Sequence, residues 1–145
     1  MKKIVTIMSL LLTLIISGCQ CTLHTHYYNE YGVCICGDDI AQELTYSNGE
    51  YSSTTYSVVQ NETYYYKFTS HGEEGVDFYL ESEDVTFDRI EIRADGMLQT
   101  TAMRNDDTRK FYSYESLLVN ERIYYLKVTY IGDGSIRVII KDKNV

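Results

Sequence analysis

Ile123-Tyr124-Tyr125-Leu126-Lys127-Val128-Thr129-Tyr130 and, beyond Gly132-Asp133-Gly134, Ile136-Arg137-Val138-Ile139-Ile140-Lys141 decide the fold. In the first run Tyr124, Leu126, Val128 and Tyr130 alternate with Tyr125, Lys127 and Thr129. In the second, Ile136, Val138 and Ile140 alternate with Arg137, Ile139 and Lys141. A period of two places one set on a buried face and the other in water, the pattern of an antiparallel sheet. Gly132-Asp133-Gly134 is expected to join the two strands as a tight hairpin turn, because Gly accepts positive φ at low cost.

The same period extends backwards along the chain. Thr63 to Thr69 carries Tyr64, Tyr66 and Phe68 on one face. Val76, Phe78 and Leu80 alternate with Asp77, Tyr79 and Glu81, and Ile90, Ile92 and Ala94 with Glu91, Arg93 and Asp95. His71-Gly72-Glu73-Glu74-Gly75 and Asp95-Gly96 supply the turns between runs. No stretch shows the 3.6-residue period of a helix. Short strands about ten residues apart predict an all-β, antiparallel, jelly-roll-like sandwich of seven to nine strands over residues 39–145.

The order of these signals resembles the β-sandwich of bacterial pre-peptidase C-terminal domains. The residues that carry it are Glu62 to Phe68, then Val76 to Leu80, then Ser116 to Val128, where a polar turn leads into a paired-aromatic strand. Asn120-Glu121 stands where that family usually shows a glycine turn. The resemblance implies a non-catalytic appendage, of a kind that in some cases binds proteins or polysaccharide.

The other end of the chain reads as an export signal. Met1-Lys2-Lys3 is cationic, and the thirteen residues from Ile4 to Ile16 are almost all apolar and uncharged. That run is shorter than the roughly 20 apolar residues that span a bilayer, so residues 1–18 are expected to be a secretory signal rather than a membrane helix. Ile16-Ser17-Gly18-Cys19 resembles the lipobox of bacterial lipoproteins. The resemblance implies that Cys19 becomes a lipidated N-terminus, held by two or more acyl chains on the outer, extracytoplasmic face of the cell membrane. The alternative is an ordinary cleaved signal and a free secreted protein.

Removing residues 1–18 leaves 127 of 145 residues, and the formal charge of −8 becomes −10 as Lys2 and Lys3 leave. An acidic domain of this size argues against nucleic acid and anionic lipid surfaces as partners, since both are held by Lys and Arg patches. The fifteen tyrosines all follow the signal. Those at 64, 65, 66, 112, 114, 124 and 125 could form a sugar or peptide platform, although alternation sends about half of them to the core.

Residues 19–38 form a separate Cys/His stalk without apolar periodicity. Its spacing is Cys21-x2-His24-x-His26-x7-Cys34-x-Cys36-Gly37. With Cys19 lipidated, three thiols remain, an odd number that cannot all pair within one chain. Cys21, Cys34 and Cys36 with His24 or His26 would complete a tetrahedral structural zinc site. Copper(I) is the second metal that thiolates favour. A disulfide from Cys21 to Cys34 or Cys36, or free thiols in a flexible spacer, are the other two arrangements open to this segment. Gly32-Val33-Cys34-Ile35-Cys36-Gly37 is similar to the end of short zinc-ribbon-like segments of exported proteins, one residue shorter than their usual Cys-x-x-Cys-Gly.

Two acidic turns remain. His71 beside Glu73 and Glu74 has the neighbours of a general base, and Asn105-Asp106-Asp107 offers oxygen ligands to calcium, but both fit solvated loops. No G-x-S-x-G, H-E-x-x-H or phosphate-cradling glycine loop occurs. The function expected is therefore that of a non-catalytic, lipid-anchored protein whose sandwich binds a glycan or protein ligand. Metal capture or delivery by the Cys/His segment, and an enzyme with an unrecognised site, are the readings from other classes. If zinc closes the segment, the mature chain carries about one zinc per molecule and Cys34→Ser releases it. Metal analysis of the two proteins checks this, and unchanged metal content refutes it.

Overall fold

Alternate burial organises the five long strands. The computed structural model describes residues 28–34, 37, 39–94, 97–98 and 103–143. In chain order the strands are β1 (Gln42–Glu43), β2 (Thr45–Ser47), β3 (Glu50–Ser52), β4 (Tyr56–Val58), β5 (Thr63–Thr69) and β6 (Val76–Glu81). They continue with β7 (Thr86–Ala94), β8 (Met97–Leu98), β9 (Met103–Asn105), β10 (Phe111–Tyr114), β11 (Ile123–Ile131) and β12 (Gly134–Asp142). One sheet has five strands in the order β1-β5-β11-β7-β8. The other has seven, in the order β2-β3-β12-β6-β10-β9, with β4 also on β12. Every pairing is antiparallel except that of β1 with β5.

The antiparallel sandwich is thus the observed architecture. Twelve strands stand among the described residues, where seven to nine are expected. Seven of the twelve are two to four residues long, too short for alternation to show.

The core lies between the sheets and takes the predicted faces. Tyr66 and Phe68 of β5, Phe78 and Leu80 of β6, Ile90 and Ile92 of β7, Leu126 and Val128 of β11, and Ile136 and Ile140 of β12 are all buried in one cluster. Each such side chain contributes on the order of 2 kcal/mol by leaving water. Three tyrosines bring hydroxyls into this core and satisfy them among themselves. Tyr66 and Tyr130 share a hydrogen bond of 2.6 Å, and Tyr56 bonds to Tyr66. Burial pushes the phenols of Tyr66 and Tyr130 up.

The connections differ from the hairpins expected of them. β11 pairs only with β5 and β7, whereas β12 lies in the other sheet. Gly132-Asp133 therefore closes an arch across the sandwich rather than a hairpin, and His71 to Gly75 does the same between β5 and β6. A short glycine turn serves either purpose, and the strands' hydrogen-bond partners decide which. A true two-residue hairpin joins β2 and β3 through Asn48-Gly49, with φ of 52° and 79°, as a type I′ turn requires. β7 and β8 also pair as a hairpin, and its turn at Asp95-Gly96 lies outside the described residues.

Asn120-Glu121 makes its turn without glycine. Glu121 takes φ of 60°, and its N–H donates to the carbonyl of buried Ser70 at 2.8 Å. Ser70 N–H in turn donates to the Arg122 carbonyl at 3.0 Å, so the β10–β11 loop is stitched to the end of β5.

Gly132 is a tight arch position in which a positive φ and a close backbone approach coincide. Its φ is +92°, and a Cβ there would sit 2.5 Å from the Asp84 carbonyl oxygen. Gly132→Ala is expected to cost about 2 kcal/mol or more, through backbone strain together with that collision. Thermal unfolding followed by circular dichroism measures it, and an unchanged midpoint would mean that the arch relaxes freely.

Candidate functional site

Residues 28–34 fold back on the sandwich. Asn29 starts a turn whose side-chain oxygen accepts from the N–H groups of Tyr31 (2.8 Å) and Val33 (3.1 Å). The turn drives Tyr31 onto the outer face of the five-stranded sheet, where it is 2% exposed. The Arg93 guanidinium lies 4.4 Å above its ring, its hydroxyl donates to Glu91, and Glu30 pairs with Arg93 at 3.2 Å. Burial, with Glu91 next, pushes the Tyr31 phenol up. Gly32 rests against the Tyr65 ring and Ile40, and Asp39 pairs with Lys67 of β5 at 3.0 Å. One outer face of the sandwich is thereby covered by the chain's own N-terminal segment.

Of the sequence-predicted ligands, Cys34 is described: it is buried, bridges to Tyr28 across the turn and forms no disulfide among the described residues. Cys19, Cys21, His24, His26 and Cys36 lie outside the described residues. Among the described residues no three His, Cys, Asp or Glu gather as a metal site.

The predicted tyrosine platform is dispersed. Tyr66, Tyr114 and Tyr124 are in the core. Tyr65 and Tyr125 lie half-buried on the face that residues 28–34, 39 and 40 cover, Tyr65 against Gly32 and Tyr125 beside Asp39. Tyr64 accepts from the Val59 N–H, and Tyr112 packs edge-on against Phe87. Asp106 likewise serves its own loop. Its carboxylate accepts from Thr108 and from the Lys110 N–H, bonds that hold it below the usual carboxylate range, the Thr108 contact foremost.

Among the described residues, the open face belongs to the seven-stranded sheet. Strand register places Phe111, Tyr79, Ile139 and Ser52 in one row across β10, β6, β12 and β3. At about 4.8 Å per strand the row is about 14 Å long. Tyr79 and Phe111 are half-buried, with ring centroids 5.2 Å apart, and Ile139 forms an apolar floor. Lys141 lies 5.5 Å from the Tyr79 ring centre. Together with Glu81, Asp106 and Lys110 these residues border a shallow depression of about 480 Å³.

Charges flank the row on both sides, largely in pairs. On one side Lys141 meets Glu50 at 3.5 Å, and Lys143 meets Glu115 at 2.8 Å and Asp77 at 3.8 Å. On the other, Arg137 meets Glu81 at 3.3 Å, and it also reaches past Ser52 to Glu50 at 3.6 Å. Tyr79 and Ile139 occupy positions that alternation assigns to water. An aromatic and a branched aliphatic residue on a wet face were the sequence signal for this site.

No family model matches the chain, and no curated protein matches it. Among solved structures it is similar to periplasmic lysozyme inhibitors of g-type lysozyme. For the inhibitor from Aeromonas hydrophila the TM-score is 0.47 at 12% identity, over 70% of this chain and 94% of that one. For that from Salmonella Typhimurium the values are 0.44 and 12%, over 71% and 100%. For a mutant of the Escherichia coli inhibitor they are 0.41 and 14%, over 71% and 97%.

Tyr31 is the buried side chain among those that hold the N-terminal segment down, with Glu30 and Asp39 paired at its sides. Tyr31→Ala removes the cation–π and Glu91 contacts, and is expected to raise the alkylation rate of buried Cys34 about tenfold. Iodoacetamide labelling mapped to the Cys34 peptide reads this, and an unchanged rate would show the segment docked without Tyr31.

Proposed function

We propose that this chain is a lipid-anchored, extracytoplasmic, non-catalytic binding domain whose ligand is a basic protein docked on the outer face of the seven-stranded sheet. The observation that carries the reading is the row Phe111–Tyr79–Ile139 with its flanking ion pairs. An apolar centre rich in aromatics, ringed by charged and polar groups, is the anatomy of a protein interface. Such centres supply most of the binding energy, and the rim excludes water from them. Paired rim charges cost little to present, and they fix the register of a partner more than its affinity.

The covered state of the opposite face supports the assignment, because it leaves this sheet as the broad open surface among the described residues. Charge supports the partner's class: a mature domain of charge −10 attracts basic proteins and repels acidic ones at long range. The lipobox at Cys19 and the apolar run before it support display outside the cytoplasm.

Surface plasmon resonance of the mature chain against purified basic envelope and extracellular proteins tests the reading. The panel includes a g-type lysozyme, the enzyme that the similar structures inhibit. Tyr79→Ala and Phe111→Ala are each expected to cost about 2 kcal/mol, roughly a thirtyfold rise in Kd. Lys127→Ala, on the covered face, is expected to leave Kd unchanged. Binding that survives both aromatic replacements, or no binding across the panel, would overturn the proposal.

A further inference from the structure

A second surface lies where the two sheets part company. After β1 the chain leaves β5 at Leu44, whose N–H donates to the Lys67 carbonyl at 2.9 Å, and crosses to β2 in the other sheet. The crossing leaves an open cleft of about 560 Å³ at the end of β5, within the usual range for small-molecule sites. Tyr46, Tyr51 and His71 form its wall. The Tyr46 ring centre is 4.3 Å from that of His71 and 4.7 Å from that of Tyr51, and the His71 and Tyr51 rings are parallel. Tyr51 is fixed from behind, buried against Phe68 and accepting the His71 N–H at 2.8 Å. Tyr46 remains 41% exposed, a ring held in place by its neighbours.

Glu43, Thr45 and Thr69 line the rest of the cleft. Among the described residues no hydrogen bond engages the Glu43 carboxylate, the Thr45 and Thr69 hydroxyls or the His71 imidazole. The cleft therefore offers a preoriented aromatic face, two hydroxyls that both donate and accept, a carboxylate acceptor and an imidazole. It has no Lys or Arg in its lining.

We propose that this cleft binds a neutral pyranose unit of a polysaccharide, with the C–H face of the sugar against Tyr46 and its hydroxyls on Glu43, Thr45, Thr69 and His71. The apolar face of a pyranose matches an exposed tyrosine ring, and its several hydroxyls match a rim of mixed donors and acceptors. The lining carboxylate and the absence of Lys and Arg from the lining disfavour acidic sugars. The site is separate from the seven-stranded sheet's outer row, so it stands or falls independently of the protein ligand proposed above.

Proton NMR of the mature chain tests it through the His71 ring signals. The probes are the tetrasaccharides of glucose (β-1,4 and α-1,4 linked) and of N-acetylglucosamine, with lysine methyl ester as a cationic control. At least one saccharide is expected to shift the His71 signals with a saturating, millimolar-range Kd. Tyr46→Ala is expected to raise that Kd about tenfold, and Glu43→Gln about threefold. Both positions are solvent-facing, and an unchanged unfolding midpoint confirms that the variants fold. No shift from any saccharide, a shift indifferent to Tyr46→Ala, or a shift from the lysine ester alone would overturn the proposal.

Discussion

The crossing from β11 to β12 is the constraint on which the rest of this sandwich depends. β11 sits between β5 and β7, and β12 between β6 and the β3 and β4 edge. Two consecutive strands thus form interior members of opposite sheets, and only Gly132-Asp133 separates them. With so short a link, the spacing between the sheets at that end is set by the backbone itself. The close approach of Gly132 to the Asp84 carbonyl is the cost of that geometry, met by a residue with no side chain. From there the inward side chains of β11 and β12 face one another, and their outward partners are committed to the two exterior faces.

Those exterior faces have opposite fates. On the five-stranded sheet, Glu91, Arg93, Lys67 and Tyr65 meet Tyr31, Glu30, Asp39 and Gly32 of the same chain. On the seven-stranded sheet, Tyr79 and Phe111 meet each other, Ile139 and their charged neighbours among the described residues. The difference begins with Asn29. A single amide side chain accepting two backbone N–H groups bends the segment and delivers Tyr31 to Arg93.

Much of the sandwich was legible in the sequence because burial acts with the strand's own period. Tyr124, Leu126, Val128 and Tyr130 are buried, as their alternation requires. The arches were not legible, because a glycine turn carries no record of which sheet its second strand joins. The three-residue strands around Asn48-Gly49 escaped as well, being shorter than the pattern that reveals a strand. The docking of Tyr31 had no signal at all, since it depends on Arg93 and Glu91, some sixty residues away. The candidate row was half legible. Asp77, Tyr79 and Glu81 were correctly read as one outward face, but the neighbour that makes Tyr79 part of a surface, Phe111, comes from β10. That strand is four residues long and has no clear period of its own.

The docked N-terminal segment also has a meaning for orientation. In the lipid-anchored form proposed above, nine residue steps separate Cys19 from Tyr28, and no chain of that length reaches beyond about 30 Å. The leash is fastened to the five-stranded sheet, not to a loop at one tip. A domain moored by its flank presents that flank to the bilayer and its opposite side to the space beyond. The seven-stranded sheet would then look outward like the face of a tile whose back is set against the wall. A large partner could approach it without first displacing the membrane.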